Sequence, residues 1–282
     1  MIAALIFDVD GTLAETEEAH RVSFNAAFAE ADLDWAWSQS DYRNLLRITG
    51  GKERMRHYIE SWGAAPPPGE RDNAIHTLHR RKTQLYAAHV AAGDVPLRPG
   101  IETLLRTARD YGFRLAIATT TSRSNVDALL VANLGQDAAA NWFAAIVCGD
   151  MVAHKKPAPD VYEETLRTLR LRPDETIAIE DSWNGVQAAH TAGIAVVATP
   201  SLYSADDDFS DAAAVVTGSL CFDAILGLAR KLRSERAGAG QHLRACSPSE
   251  KCKKTLVWEK CTLKKSRKCC RGKGWPHPTM RR

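Results

Sequence analysis

The sequence predicts an α/β fold: a doubly wound parallel sheet with a helical domain inserted after its first strand. Three observations predict it. Six apolar runs of four to six residues, rich in Ile, Val and Ala, lie between residues 3 and 216, and runs of that kind suit strands buried on both faces. Helical patterns alternate with the later runs, which is the rhythm of a parallel sheet. Between residues 15 and 93 the rhythm stops and only helical patterns occur.

Taken in order, Ala3–Phe7 is the first expected strand. The helical stretch from Glu15 to Gly93 is broken at Gly50-Gly51 and again at 64–69, where Pro66-Pro67-Pro68 stands. Its links to the sheet fall near Leu13–Thr16 and Gly93–Pro99. Strands are then expected at Arg114–Ala118, Phe143–Val147, Thr176–Ile179, Ile194–Ala198 and Ala213–Val216. Helices are expected at Ile101–Asp110, Ser124–Leu134, Asp160–Leu171 and Asn184–Thr191, the third capped by Asp160 after two prolines. Phe222–Leu232 reads as the last core helix. The expected division is a core of residues 1–14 and 97–232, a helical domain of residues 15–96 and a C-terminal extension of residues 233–282. Trp35, Trp37 and Trp62 are expected to fill the core of the helical domain. The bases interleaved with aromatics that RNA-binding strands use are missing.

With 45% hydrophobic and 25% charged residues the composition is that of an ordinary globular protein. Residues 1–7 lack the basic flank and cleavage site of a signal peptide. No stretch approaches the roughly 18 uncharged apolar residues of a membrane span. A cytoplasmic monomer with no membrane partner is therefore the expectation. The net charge of +3 conceals a division: residues 233–282 hold 15 Lys and Arg against three Glu, and the first 232 residues hold 22 against 31 acidic residues. Cysteine divides likewise, with Cys148 and Cys221 in the body and five in the extension. The spacing of those five fits no usual zinc module. The extension is expected to be disordered, the alternative being a basic arm that binds nucleic acid through phosphate contacts.

The chemistry lies at strand ends, where open α/β sheets bind ligands. Asp8 and Asp10, two residues apart after the first strand, form a carboxylate pair in which one member can attack while the other moves protons. Alone, such a pair is more often an acidic turn. Thr119, Thr120 and Thr121 end the second strand and offer hydroxyls and N–H groups to an anion, or form a polar turn. Lys155-Lys156 follows the third strand; a cation there neutralises a phosphoryl group, and Lys155 is better read as solvated. Glu180-Asp181 ends the fourth strand, as an oxygen-rich site for magnesium or as a helix cap. Four polar groups at four successive strand ends is a combination that the bland readings do not produce together.

The order DVDGT, strand-end Thr, Lys-Pro and Glu-Asp resembles the haloacid dehalogenase superfamily of phosphohydrolases, over residues 1 to about 232. The helical insert resembles the cap of its β-phosphoglucomutase-like group. Asp8–Glu18, Thr49–Arg54, Ala118–Thr121 and Lys155–Asp160 are similar to CbbY-type phosphatases, which act on xylulose 1,5-bisphosphate. The resemblance implies a HAD-like core and a Mg2+-dependent phosphatase acting through an aspartyl-phosphate on Asp8. Asp10 would serve as acid and base, Thr119, Thr120 and Lys156 would hold the phosphoryl group, and Asp8, Asp181, Glu180 and the Asp10 carbonyl would face the metal. A mutase would use the same residues but return the phosphoryl group to substrate.

In the insert, Gly50-Gly51-Lys52 opens a helical pattern. Its N–H groups, with Lys52 and Arg54, suit a second phosphate, or else form a plain helix–helix turn. His79 and Lys82, three apart and on one helix face, add to that charge. Thr16, Glu17 and His20 at the entrance are candidates for binding sugar hydroxyls, although His20 equally suits a helix surface. The expected partner is a small sugar bisphosphate.

Overall fold

The computed structural model describes residues 1–65 and 69–241. β1 (Ala4–Phe7), β2 (Arg114–Ala118), β3 (Phe143–Val147), β4 (Thr176–Glu180), β5 (Ala195–Ala198) and β6 (Ala214–Val215) form one sheet in the order β3-β2-β1-β4-β5-β6. Every pairing is parallel, and β1 lies between β2 and β4 with Ala4 level with Arg114 and Thr176. All six expected strands are present; β1 and β5 each start one residue later, β6 loses one residue at each end, and β4 extends by one to Glu180.

The period of two in each strand explains how the two faces are covered. Leu5, Phe7, Leu115, Ile117, Ile177 and Ile179 point to one face. There they meet α5 (Ile101–Asp110), α6 (Arg123–Leu134) and α10 (Phe222–Gln241) through Leu104, Leu129 and Ile225. Ala4, Ala116, Ala118 and Ala178 point to the other face. These small side chains let α8 (Asp160–Leu169) and α9 (Trp183–Thr191) pack close through Tyr162 and Val186. Each large buried side chain contributes about 1.5–3 kcal/mol of transfer free energy.

α1 (Glu17–Glu30), α2 (Gln39–Leu45), α3 (Gly51–Trp62) and α4 (Arg71–Ala91) occupy the interval between β1 and α5. They enclose a separate cluster built on Phe24, Phe28, Trp35, Trp37, Tyr42 and Met55. The chain leaves the sheet and returns side by side, with Ala14 bridged to Leu97 and the Arg98 N–H donating to the Leu13 carbonyl at 2.8 Å.

The structure corrects several expectations. Trp62 does not join the cluster: it is 42% exposed at the last residue of α3, before Gly63 turns the chain into the left-handed region. Asp160 is the first residue of α8 rather than its cap, because its carboxylate accepts from the His154 N–H and ring instead. A short helix, α7 (Gln136–Asn141), escaped the sequence reading because six residues carry too little periodicity. α10 continues past the expected end at Leu232 to Gln241, so the extension begins as helix. The rest of the extension, with its five cysteines, and Pro66-Pro67-Pro68 lie outside the described residues.

Every hydrophobic cluster of the described residues is complete by Leu232. Deleting residues 242–282 is therefore expected to leave the thermal midpoint within about 2 °C and turnover within about twofold of the full chain. A truncated chain that melts more than about 5 °C lower would show that the extension packs on the body.

Candidate active site

The loops after β1, β2, β3 and β4 converge because all four strands run parallel and expose their carboxyl ends on one edge. Asp8 continues the β1 ladder, its N–H donating to the Ile179 carbonyl at 3.0 Å. Gly11 then turns the chain at φ 82°, and a Cβ there would lie 2.2 Å from the Asp181 Oδ2 atom. Only glycine meets both demands, the left-handed backbone and the missing side chain.

Lys156, after β3, is buried and spends all three ammonium protons. Its Nζ donates to Asp8 Oδ1 at 2.6 Å, to Glu180 Oε1 at 2.6 Å and to the Ala118 carbonyl at 2.9 Å. Burial alone would lower its pKa, but the two carboxylates outweigh burial and raise it. Tyr162 on α8 donates its hydroxyl to the same Glu180 oxygen, and Gly185 leaves the space that the Glu180 carboxylate fills. Tyr162 was not singled out in the sequence, since nothing local to it signals a partner on β4.

Asp8, Glu180 and Asp181 place carboxylate oxygens within 4.8 Å of one another, all buried. Burial, with Glu180, Asp181 and Asp10 adding to it, pushes the Asp8 carboxyl well up against the pull of Lys156. The Asp181 carboxyl is pushed up to about 8 by burial and by Glu180. Glu180 Oε2 is buried with no hydrogen-bond partner. One ammonium for three buried carboxylates leaves negative charge uncompensated, and an all-oxygen donor set suits a hard divalent cation. The residues present therefore fit Mg2+.

The Asp10 side chain turns away from this group. Its Oδ1 accepts from Thr16 Oγ1 at 2.6 Å and from His20 Nε2 at 3.1 Å. His20 Nδ1 in turn lies 2.6 Å from Lys82 Nζ. Burial, then the Lys82 charge, lowers the His20 pKa. A neutral ring with its proton on Nε2 satisfies both contacts: Lys82 donates to Nδ1 and Nε2–H donates to Asp10. Burial works to raise the Asp10 carboxyl, but His20, Thr16 and Lys82 outweigh it and hold the carboxyl down at about 2. Burial likewise brings Lys82 down to about 7.

Several expected roles change here. Thr16 is fully buried and orients Asp10, so its hydroxyl is not available to a sugar. His20 is no surface residue; it stacks on Tyr86 with ring centroids 4.0 Å apart. Lys82 belongs to the Asp10 line as well as to the cavity wall. Arg54 is buried and donates to the Leu45 carbonyl and to the Tyr42 hydroxyl, which itself donates to Glu17 Oε2 at 2.8 Å. Lys155 is not solvated: its Nζ donates to Glu53 Oε1 at 2.8 Å and ties the β3 loop to α3. Thr119 lies behind Thr120 and Thr121, its hydroxyl accepting from the Thr121 N–H at 3.3 Å.

A cavity of about 830 Å³ joins the two sets of residues. Asp8, Asp10, Thr120, Thr121, Lys156 and Asp181 line it from the sheet edge. Glu17, His20, Gly50, Gly51, Lys52, Arg54, His79 and Lys82 line it from the helical insert. No hydrogen bond or ion pair among the described residues engages the Lys52 ammonium. Burial, then the charges of Lys82, Lys52 and Lys155, bring His79 down to about 3. Arg47 also lines this wall and was missed, because it lies outside the glycine motif.

A parallel sheet of this order, with an aspartate pair after β1, a buried lysine after β3 and an acidic pair after β4, defines a hydrolase of the haloacid dehalogenase class. The chain belongs to the haloacid dehalogenase-like hydrolase family, whose profile matches residues 5–199. It is 53% identical to protein CbbY of Rhodobacter capsulatus over 211 residues, 75% of this chain and 91% of that protein. It is 51% identical over 220 residues to a plasmid-borne protein CbbY of Cupriavidus necator, covering 76% of this chain and 84% of that one. A crystal structure of an Asp-to-Asn variant of CbbY from Rhodobacter sphaeroides, in complex with xylulose-(1,5)bisphosphate, superposes with a TM-score of 0.73 at 45% identity, over 77% of this chain and 94% of that one. A β-phosphoglucomutase from Clostridium difficile shares the fold at 20% identity, with a TM-score of 0.68 over 83% of this chain and 100% of that one. Among the described residues no helix is long and apolar enough to cross a membrane.

Proposed function

We propose that the chain is a Mg2+-dependent phosphatase that hydrolyses a sugar bisphosphate, xylulose 1,5-bisphosphate, through an aspartyl-phosphate on Asp8. Residues 1–14 and 97–232 act as the catalytic core and residues 15–96 as a cap over it. The observation that carries this reading is the shared cavity, with buried carboxylates and Lys156 on one wall and the Gly50-Gly51-Lys52 turn on the other.

In the first step an Asp8 carboxylate oxygen bonds to phosphorus and the bond from phosphorus to the sugar oxygen breaks. Asp10 passes a proton to that leaving oxygen. In the second step a water oxygen attacks the same phosphorus, Asp10 takes the proton, and phosphate leaves with Asp8 restored. Lys156 and the Thr120–Thr121 turn hold the phosphoryl oxygens. The proton that Asp10 takes from water replaces the one it gave in the first step, and the His20 ring, itself held by Lys82, keeps the Asp10 carboxyl in place. Asp8, Asp181, Glu180 and the Asp10 carbonyl are the residues that would hold Mg2+. When bound, the cation offsets the repulsion between an anionic nucleophile and an anionic substrate. The second phosphate sits against Gly50, Gly51, Lys52 and His79.

Incubation of the chain with xylulose 1,5-bisphosphate and Mg2+ is expected to release one equivalent of inorganic phosphate, with turnover lost on chelation. A rearranged bisphosphate in place of free phosphate would instead identify a mutase, and no reaction would remove the substrate assignment.

A further inference from the structure

A turn that neither motif nor resemblance brings forward joins the acidic site to the helical insert. The chain leaves β5 through Thr199 and Pro200, whose carbonyls accept from the Arg98 guanidinium at 2.8 and 3.0 Å. The same guanidinium holds the Gly11 carbonyl, so the start of the turn is fixed to the loop that carries Asp8 and Asp10. Ser201 and Ser204 close the turn: Ser204 Oγ accepts from the Ser201 N–H at 2.9 Å and lies 2.8 Å from the Ser201 hydroxyl. Ser204 Oγ also donates to Asp181, 2.7 Å from its carbonyl oxygen and 3.1 Å from its Oδ2. On its other side Asp181 Oδ2 is confined by Gly11, where even a single carbon would collide with it.

Tyr203 stands between those serines and points the other way. It is buried in the hydrophobic cluster of the insert, whose other buried members all lie between Phe24 and Leu78. Its ring meets Tyr42 edge-on with centroids 5.7 Å apart, and its hydroxyl donates to Glu18 on α1. Two adjacent residues, Ser204 and Tyr203, thus grip an acid of the metal-binding cluster at one side and the core of the insert at the other. A turn this short has no slack: displacing Tyr203 moves Ser204 with it.

We infer that Tyr203 is a positioning residue through which the packed helical insert sets the orientation of the Asp181 carboxylate. The inference rests on the reading of Asp181 as a magnesium ligand given above. It deepens that reading by making cation affinity depend on a residue that touches none of the acids. Because coupling between two sites is reciprocal, a cation at Asp181 also favours the insert in its packed position.

The test is Mg2+ binding to the full chain without substrate, by calorimetry, so that catalysis plays no part. Ser204→Ala, which removes the direct contact, is expected to weaken Mg2+ binding by about tenfold, the scale for partners that orient a metal ligand. Tyr203→Ala is expected to weaken it by roughly threefold to tenfold. Hydrogen exchange in residues 39–62 should slow on adding Mg2+ to the unmodified chain and should lose that response in both variants at saturating Mg2+. If Tyr203→Ala melts far below the unmodified chain, Tyr203→Phe decides the matter; it keeps the ring and removes only the hydroxyl to Glu18, and a loss of about threefold is expected. Mg2+ affinity unchanged in the folded Tyr203 variant, with Ser204→Ala weakened, would overturn the inference and leave the ligand reading intact. Mg2+ affinity unchanged in Asp181→Ala would overturn both.

Discussion

Asp8→Asn is expected to lower turnover of a sugar bisphosphate by about four orders of magnitude or more and to abolish the acid-labile phosphoenzyme. A carboxamide has no anionic oxygen to offer phosphorus, and removing a nucleophile is among the costliest single changes to an enzyme. The fold should survive, because an Asn carbonyl still accepts from Lys156 Nζ, now 2.6 Å from Asp8 Oδ1. It should even gain slightly. Burial pushes the Asp8 carboxyl well above its ordinary range, with Glu180 and Asp181 adding to the rise, so ionised Asp8 is held in the folded chain at a cost that a neutral side chain avoids. The checks are phosphate release, acid-quenched phosphoenzyme and the thermal midpoint at neutral pH without added Mg2+. Turnover above about 1% of the unmodified chain would sink the assignment of Asp8, and a midpoint lower by several degrees would sink the electrostatic argument.

Lys82→Ala and Lys52→Ala are expected to fail in different ways, although the sequence groups both as ligands of a second phosphate. Lys82 is buried, sits over the rings of Phe24 and Tyr86, and donates to the His20 nitrogen opposite the one that meets Asp10. Removing it frees the His20 tautomer and loosens Asp10. Lys82→Ala should therefore lose about 100-fold in kcat on a bisphosphate and on a small aryl phosphate alike, the lower range of an impaired acid–base group. Lys52 lines the cavity without touching the Asp10 line. Its loss should reduce kcat/KM for the bisphosphate by more than about tenfold and leave the aryl phosphate nearly unchanged. Kinetics of both variants on both substrates separate the two roles. Equal losses for Lys52→Ala on the two substrates would remove Lys52 from phosphate recognition.

These two lysines also mark the limit of what could be read without a structure. A strand end is a local feature: an apolar run stops, polar residues follow, and parallel order brings successive ends to one edge. Asp8, Asp10, Thr120, Lys156 and Asp181 were legible for that reason. Helix spacing placed Lys82 beside His79 on one face of α4, and both do line the cavity. It could not show that Lys82 meets a histidine on α1, because periodicity carries no information about which helix packs opposite.

The same distinction applies to the residues whose roles changed. Thr16 and Lys155 were judged by their neighbours in the chain, one as an entrance hydroxyl and the other as a loop charge. Each instead has a partner brought to it by folding, Asp10 for Thr16 and Glu53 for Lys155. Tyr162 and Tyr203 carried no signal at all, since a tyrosine in a helix or turn is unremarkable until its hydroxyl finds Glu180 or Glu18.

By itself the sequence determined the α/β class, the order of strands along the chain, the position of the helical insert and the carboxylates and cations at the strand ends. Those depend on hydrophobic period and turn chemistry within about a dozen residues. Only the tertiary structure decided which groups share a proton or a charge: Lys156 between Asp8 and Glu180, His20 between Asp10 and Lys82, Ser204 on Asp181 with Tyr203 in the insert. Such pairs join residues far apart in the chain. Their strength comes from burial, where water no longer screens the charges and an unpaired polar atom is costly, and burial is set by packing.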